Sequence, residues 1–177
     1  MTAHWQTTVH FRSGDHQHRQ HALRRQQPGL EEQTAARTST DMSKIIKKII
    51  KTPLAAAPVA PYNQAVVAGN TVYCSGMLGV NKDTMQLVPG GTVAQAREAF
   101  INLRHVLEAS GSSFEKVVKM TVLLQNLDDF KDVNEVYKEF FKQPYPARTA
   151  YQVARLPMNA AIEMEAVALV GEVQIVE

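Results

Sequence analysis

From Met42 onward, aliphatic and polar residues alternate in short runs of two different periods, and each change of period marks a change of element. The first run, over about 44–52, interleaves Ile45, Ile46, Ile49 and Ile50 with lysines and reads as a strand, with helix as the alternative. Pro53, Pro58 and Pro61 then make an extended loop ending at Tyr62, because each proline fixes its own φ and turns its predecessor away from the helical region. Runs at 63–68 and 71–77 predict two strands joined through Gly69-Asn70, residue types suited to a tight hairpin. Gly90-Gly91 closes the next loop. Over 92–110, Val93, Ala96, Phe100, Leu103 and Leu107 recur at helical spacing. Thr92 is the expected N-cap, Gln95 stands three residues on, and Gly111 is the expected stop.

Val117, Val118, Met120, Val122 and Leu123 predict a further strand. Asp128 or Asp129 opens a second helix with Phe130, Val133, Tyr137 and Phe140 on one face, and Pro144 and Pro146 are expected to stop it. Two final strands cover about 147–156 and 161–170, separated by a turn near Pro157-Met158-Asn159. The order β-β-β-α-β-α-β-β predicts an α+β fold: a mixed six-stranded sheet with both helices on one face. The other face needs a cover, and a partner subunit is the economical one.

Residues 1–41 differ in character. They hold five of the six histidines (His4, His10, His16, His18, His21) with many Gln, Thr and Arg and few clustered aliphatics, too little apolar surface to build a core. The expectation is a disordered extension over 1–41 and one domain over 42–177, with Met42 as an alternative start. Irregular histidine spacing argues against a metal-binding tract. The arginines are those of a mitochondrial transit segment, but Asp15, Glu31, Glu32 and Asp41 dilute the charge and no apolar helix face stands out.

Composition narrows the function classes. A length of 177 residues suits one domain, and a net charge of +2, not gathered into a block, argues against a nucleic-acid partner. The single cysteine, Cys74, excludes an intrachain disulfide, and no zinc-type Cys/His spacing occurs. No run approaches the roughly 18 apolar residues of a membrane span, and no secretory signal opens the chain. The expectation is a soluble cytoplasmic protein, with the mitochondrion as a second location.

Phosphate-cradling, dinucleotide-binding, zinc-protease and nucleophile-elbow motifs are all missing. His105, the one histidine of the domain, falls within the first helix, so neither Ser75 nor Cys74 has a ready base, and Cys74 reads as packing. What remains is charge inside strands. Arg148 shares a face with the small or polar residues Ala150, Gln152 and Ala154. Glu163 and Glu165 share a face opposite Ile162, Met164, Ala166 and Ala168. On pattern alone, a structural Arg–Glu pair or two solvent-facing glutamates is the favoured explanation of these residues, ahead of a site.

Ala60-Pro61-Tyr62, Tyr73-Cys74-Ser75-Gly76, Asp129-Phe130 with Val133-Asn134, Pro146-Ala147-Arg148 and Ile162-Glu163-Met164-Glu165-Ala166 occur together, in an order that resembles the reactive intermediate deaminase (RidA, or YjgF) family over about 44–172. The resemblance implies a chorismate-mutase-like fold, a homotrimer with clefts between subunits, and cofactor-free, metal-free hydrolysis of 2-aminoacrylate or 2-aminocrotonate, as imines, to 2-oxo acids and ammonia. It implies that Arg148 clamps the substrate carboxylate and Glu165 activates water, both catalytic, while Tyr62, Ser75, Gly76 and Ala150 bind substrate. Asn134 is expected to serve structure or the subunit contact. Many members carry Gly at the position of Ala60, a polar residue at Met77 and Cys at Ala150, so substrate preference is the property most open to change. Two rival readings remain: single-strand endoribonuclease, for which no aromatic-rich basic platform is present, and a non-catalytic carboxylate-binding or holdase-like trimer. Lys44, Lys47, Lys48 and Lys51 read as a solvated sheet edge.

Overall fold

The computed structural model describes residues 46–176. The extension expected over 1–41 and the first residues of the expected first strand lie outside them. Six strands and two principal helices follow the predicted order: β1 (Lys47–Ile50), β2 (Ala65–Ala68), β3 (Thr71–Leu78), α1 (Gly91–Ser110), β4 (Val117–Leu124), α2 (Phe130–Phe140), β5 (Ala147–Gln152) and β6 (Ile162–Leu169). They form one sheet in the order β1-β2-β3-β6-β4-β5. Only β4 and β5 pair in parallel, because α2 carries the chain back between them.

Register explains the layering. Ile50, Ala65, Cys74, Ala166 and Met120 stand in one row across five strands and all are buried. They face Phe100, Leu103, Val106 and Leu107 of α1 and Val133, Val136 and Tyr137 of α2 in a single core. The same row runs out to Arg148 on β5, the edge strand. One residue along, Ile49, Val66, Tyr73 and Val167 line up on the opposite face. That face has no covering layer among the described residues, and Tyr73 is 53 % exposed. Cys74 packs in the core as expected, and burial pushes its thiol up to about 12, which leaves it an inert thiol.

Four local expectations need correction. Thr92 is not the N-cap of α1: Gly90 precedes the helix in the left-handed region at φ 107°, and the Thr92 hydroxyl donates to Asp129 at the mouth of α2. Gln95 closes no capping box, because its Oε1 accepts from the Ala161 backbone at 2.8 Å. The helix α2 ends at Phe140, before either proline. Phe141 turns extended and buries its ring on Tyr137, centroids 4.4 Å apart, so packing ends the helix where proline chemistry was expected to. The strand β5 likewise stops at Gln152, as the chain turns toward Pro157.

Candidate active site

The proline loop is held by two buried amides. Gln64, 3 % exposed, accepts from Thr52 N at 2.7 Å and donates to the carbonyls of Thr52 (3.1 Å) and Ala56 (3.0 Å). Asn102 of α1 accepts from Ala56 N at 3.1 Å and donates to Val80 O at 2.8 Å. These bonds satisfy loop backbone groups that no strand pairs, and they fix the loop as the roof of a cleft.

The cleft encloses about 280 Å³. Its floor is an irregularity in β3 between Cys74 and Met77, where pairing with β6 shifts register and leaves Ser75 and Gly76 out of the ladder. The Ser75 hydroxyl donates to Asn63 O at 2.6 Å and its N–H to Gln64 O at 3.0 Å, so Ser75 joins floor to roof. Gly76 faces the carboxylate of Glu163, which occupies the space a β-carbon there would need. Burial first, and then the charge of neighbouring Glu165, raises the Glu163 carboxyl above its ordinary pKa. Tyr62 lines the same cleft from the end of the roof.

Two methionines close the outer wall, and both have unusual backbones. Met85 (φ 55°) sits at the end of a tight turn in which its N–H bonds Asn81 O at 2.9 Å and Asn81 N bonds Gln86 O at 2.9 Å. Met158 (φ 57°) and Asn159 (φ 57°) are the central pair of a turn closed by Ala160 N to Pro157 O at 3.0 Å. Positions with positive φ favour Gly or Asn; a longer side chain there costs about 1 kcal/mol.

The residues expected from sequence fall into two groups. Tyr62, Ser75 and Gly76 line the cleft; Glu165 is exposed and does not line it, and Glu163 supplies the carboxylate there. Arg148 stands apart on the helix side of the sheet edge, in a groove of about 520 Å³ with Asn134, Tyr137 and Tyr145. Its guanidinium lies 4.5 Å from the Tyr137 ring centroid and 5.4 Å from that of Phe130. Ala150, half-buried, packs on the core and does not line the cleft. Within one chain, Arg148 and Glu165 lie on opposite faces of the sheet and do not meet, because the rows containing them differ by one residue. Gln64, Asn102, Met85 and Met158 were not expected in the site. Asn102 left a signal, a lone polar residue spaced with Ala99 and Val106 along the apolar stripe of α1. No group of residues suited to hold a metal ion occurs among the described residues.

A family model described as Endoribonuclease L-PSP matches residues 52–170. A Drosophila melanogaster protein named RutC family protein UK114 is 57% identical over 133 residues, 75% of this chain and 96% of the relative. The human protein named 2-iminobutanoate/2-iminopropanoate deaminase is 47% identical over 130 residues, 73% of this chain and 95% of the relative. Among solved structures, RidA from an Antarctic Psychrobacter is 45% identical with a TM-score of 0.68, covering 70% of this chain and 99% of that one. Escherichia coli TdcF with bound serine is 39% identical with a TM-score of 0.67, with the same coverages of 70% and 99%. The six-stranded mixed sheet, the two helices and the matched residues together establish that this chain belongs to the Endoribonuclease L-PSP family, also known as YjgF/RidA.

Proposed function

We propose that this protein hydrolyses 2-imino acids, the tautomers of 2-aminoacrylate and 2-aminocrotonate, to 2-oxo acids and ammonia, and so removes products that damage pyridoxal-phosphate enzymes. The observation that carries the reading is the half-buried Glu163 carboxylate held against Gly76 in a cleft with Tyr62 and Ser75. Burial raises the pKa of this carboxyl, which makes its carboxylate a stronger base toward water than an ordinary glutamate. Relatives at 47–49% identity bearing the deaminase name add weight.

The steps follow from the groups present. Arg148 offers two parallel N–H donors to the substrate carboxylate, and its ring contacts leave the guanidinium edge free to do so. Because Arg148 and the cleft lie apart in one chain, the clamp comes from a neighbouring copy in a homotrimer seated on the bare sheet face. Glu163 takes a proton from water as the oxygen adds to C2, and returns it to nitrogen; burial raises its pKa, and the charge of Glu165, assigned this role from sequence, adds to the rise. Loss of the carbinolamine proton to nitrogen breaks the C–N bond and frees ammonia and the 2-oxo acid. The substrate carbon is already electrophilic, so modest base assistance is enough.

Timing pyruvate and ammonia release while a dehydratase generates 2-aminoacrylate tests the reading. Wild type should accelerate release, and Arg148→Ala and Glu163→Gln should each lose most of the acceleration. If Glu165→Gln alone abolishes it, the base is Glu165. The family description motivates one second reading, cleavage of single-stranded RNA. The cleft lining includes no Lys or Arg, which weighs against it; RNA cutting that survives repeated purification and is lost in Arg148→Ala would favour it.

No helix among the described residues is long and apolar enough to cross a membrane. We take the cytoplasm as the site of action and the mitochondrion as a second, reached through residues 1–41. A fluorescent fusion of the whole chain, compared with one beginning at Met42, separates the two.

A further inference from the structure

We propose that Gln95 of α1 is a positioning residue for the reaction: its side-chain carbonyl sets where β6 enters the sheet, and through β6 it holds the Glu163 carboxylate against Gly76. This deepens the deaminase reading and rests on it. Gln95 Oε1 accepts from the Ala161 N–H at 2.8 Å, and the Ala161 carbonyl accepts from Gln125 N at 2.9 Å. Both backbone groups of Ala161 are therefore held from outside β6, which begins at Ile162, and Glu163 is the next residue along.

The strand opposite meets Gln95 as well. Beyond the register shift, Glu163 stands across from Leu78 of β3. Gly79 follows Leu78, and a β-carbon there would lie 2.4 Å from both the Cα and the carbonyl oxygen of Gln95. Gln95 thus touches β3 through its backbone just past Leu78, and β6 through its side chain just before Ile162, at the end of the ladder where Glu163 sits. These two contacts fix the spacing of the strands that carry Gly76 and Glu163. Helical spacing puts Gln95 on the stripe of α1 that holds the buried Ala99 and Asn102. A half-buried amide on that stripe needs a bonded partner: Asn102 ties the roof, and Gln95 ties the strand beneath it. Without the Gln95 acceptor the Ala161 N–H is stranded and the entry of β6 is free to shift, so the carboxylate over Gly76 loses its fixed place. A displacement of about 1 Å in a reacting group is worth roughly 100-fold in rate.

The test times pyruvate release from dehydratase-generated 2-aminoacrylate for the full chain and for Gln95→Met, Gln95→Asn and Gln95→Glu. Methionine matches glutamine in length without a strong acceptor, asparagine keeps the amide but falls one carbon short, and glutamate keeps an oxygen within reach of the Ala161 N–H. Gln95→Met and Gln95→Asn should each lower kcat by roughly 10- to 100-fold and change KM by less than about 2-fold, because the Arg148 clamp is untouched. Gln95→Glu should stay within about 3-fold of the wild-type kcat. As Glu163 loosens in the first two variants its burial falls, so the acid limb of kcat/KM should move to lower pH; a simple loss of stability leaves the limb in place. Wild-type kcat in both Gln95→Met and Gln95→Asn, or an equal loss in all three variants, overturns this inference alone. No acceleration by wild type overturns the deaminase reading and this inference with it.

Discussion

Gly76 and Glu163 fit together across the β3–β6 pairing: the glycine has no side chain, and the Glu163 carboxylate fills the place where one would be. Gly76→Ala should therefore fold, since only the far end of a flexible side chain must move, yet lose about 100-fold in kcat/KM, the scale of a 1 Å misplacement of a reacting group. Steady-state deaminase kinetics beside a thermal melt checks this. Retained activity in a well-folded Gly76→Ala protein would remove the carboxylate from the mechanism.

The pH profile follows from the Glu163 shift. The base works when deprotonated, so the acid limb of kcat/KM should lie above the pH of an ordinary carboxylate. Glu165→Gln removes the second contribution to the shift and should move the limb to lower pH. A profile that stays in place, or moves up, contradicts the coupling of the two glutamates.

The roof depends on Asn102, which serves one loop N–H and the Val80 carbonyl. Asn102→Leu strands those buried backbone groups and should cost about 2–3 kcal/mol in urea denaturation, with activity falling as the roof loosens. Little change in either would mean that the loop is held elsewhere.

Tyr137 is different. Its hydroxyl is buried with no hydrogen-bond partner among the described residues, while its ring lies beside the Arg148 guanidinium. Tyr137→Phe should leave stability unchanged or raise it by about 1 kcal/mol, whereas Tyr137→Ala should destabilise the core and raise KM for the substrate carboxylate. A large loss in Tyr137→Phe would reveal a partner for the hydroxyl.

Much of the fold was legible because period and punctuation agreed: helical spacing over α1, alternation along β6, and the left-handed glycines Gly69 and Gly111 at the hairpin and the helix end. Long-range contacts decided the rest. Thr92 left the cap role for Asp129, and Phe141 ended α2 by burying its ring, neither of which a local window reveals. The site was half legible. Alternation put Glu163 and Glu165 on one face but could not say which lies against Gly76, because the register shift between Cys74 and Met77 leaves no mark in periodicity. Gly76 itself was the available clue, since glycine inside a strand often marks close approach. Gln64 and Asn102 act through backbone atoms far away in sequence, which pattern cannot supply.

On the proposed homotrimer, the place of Arg148 at the sheet edge, remote from the cleft of its own chain, would make the two halves of the chemistry separable by inheritance. Protomers carrying Arg148→Ala and protomers carrying Glu163→Gln should then each lose most of their activity alone. Unfolded together and reassembled at equal amounts, they should regain activity, with roughly a quarter of the clefts drawing both intact groups from different chains. Two broken alleles of this protein would then complement one another within a single assembly.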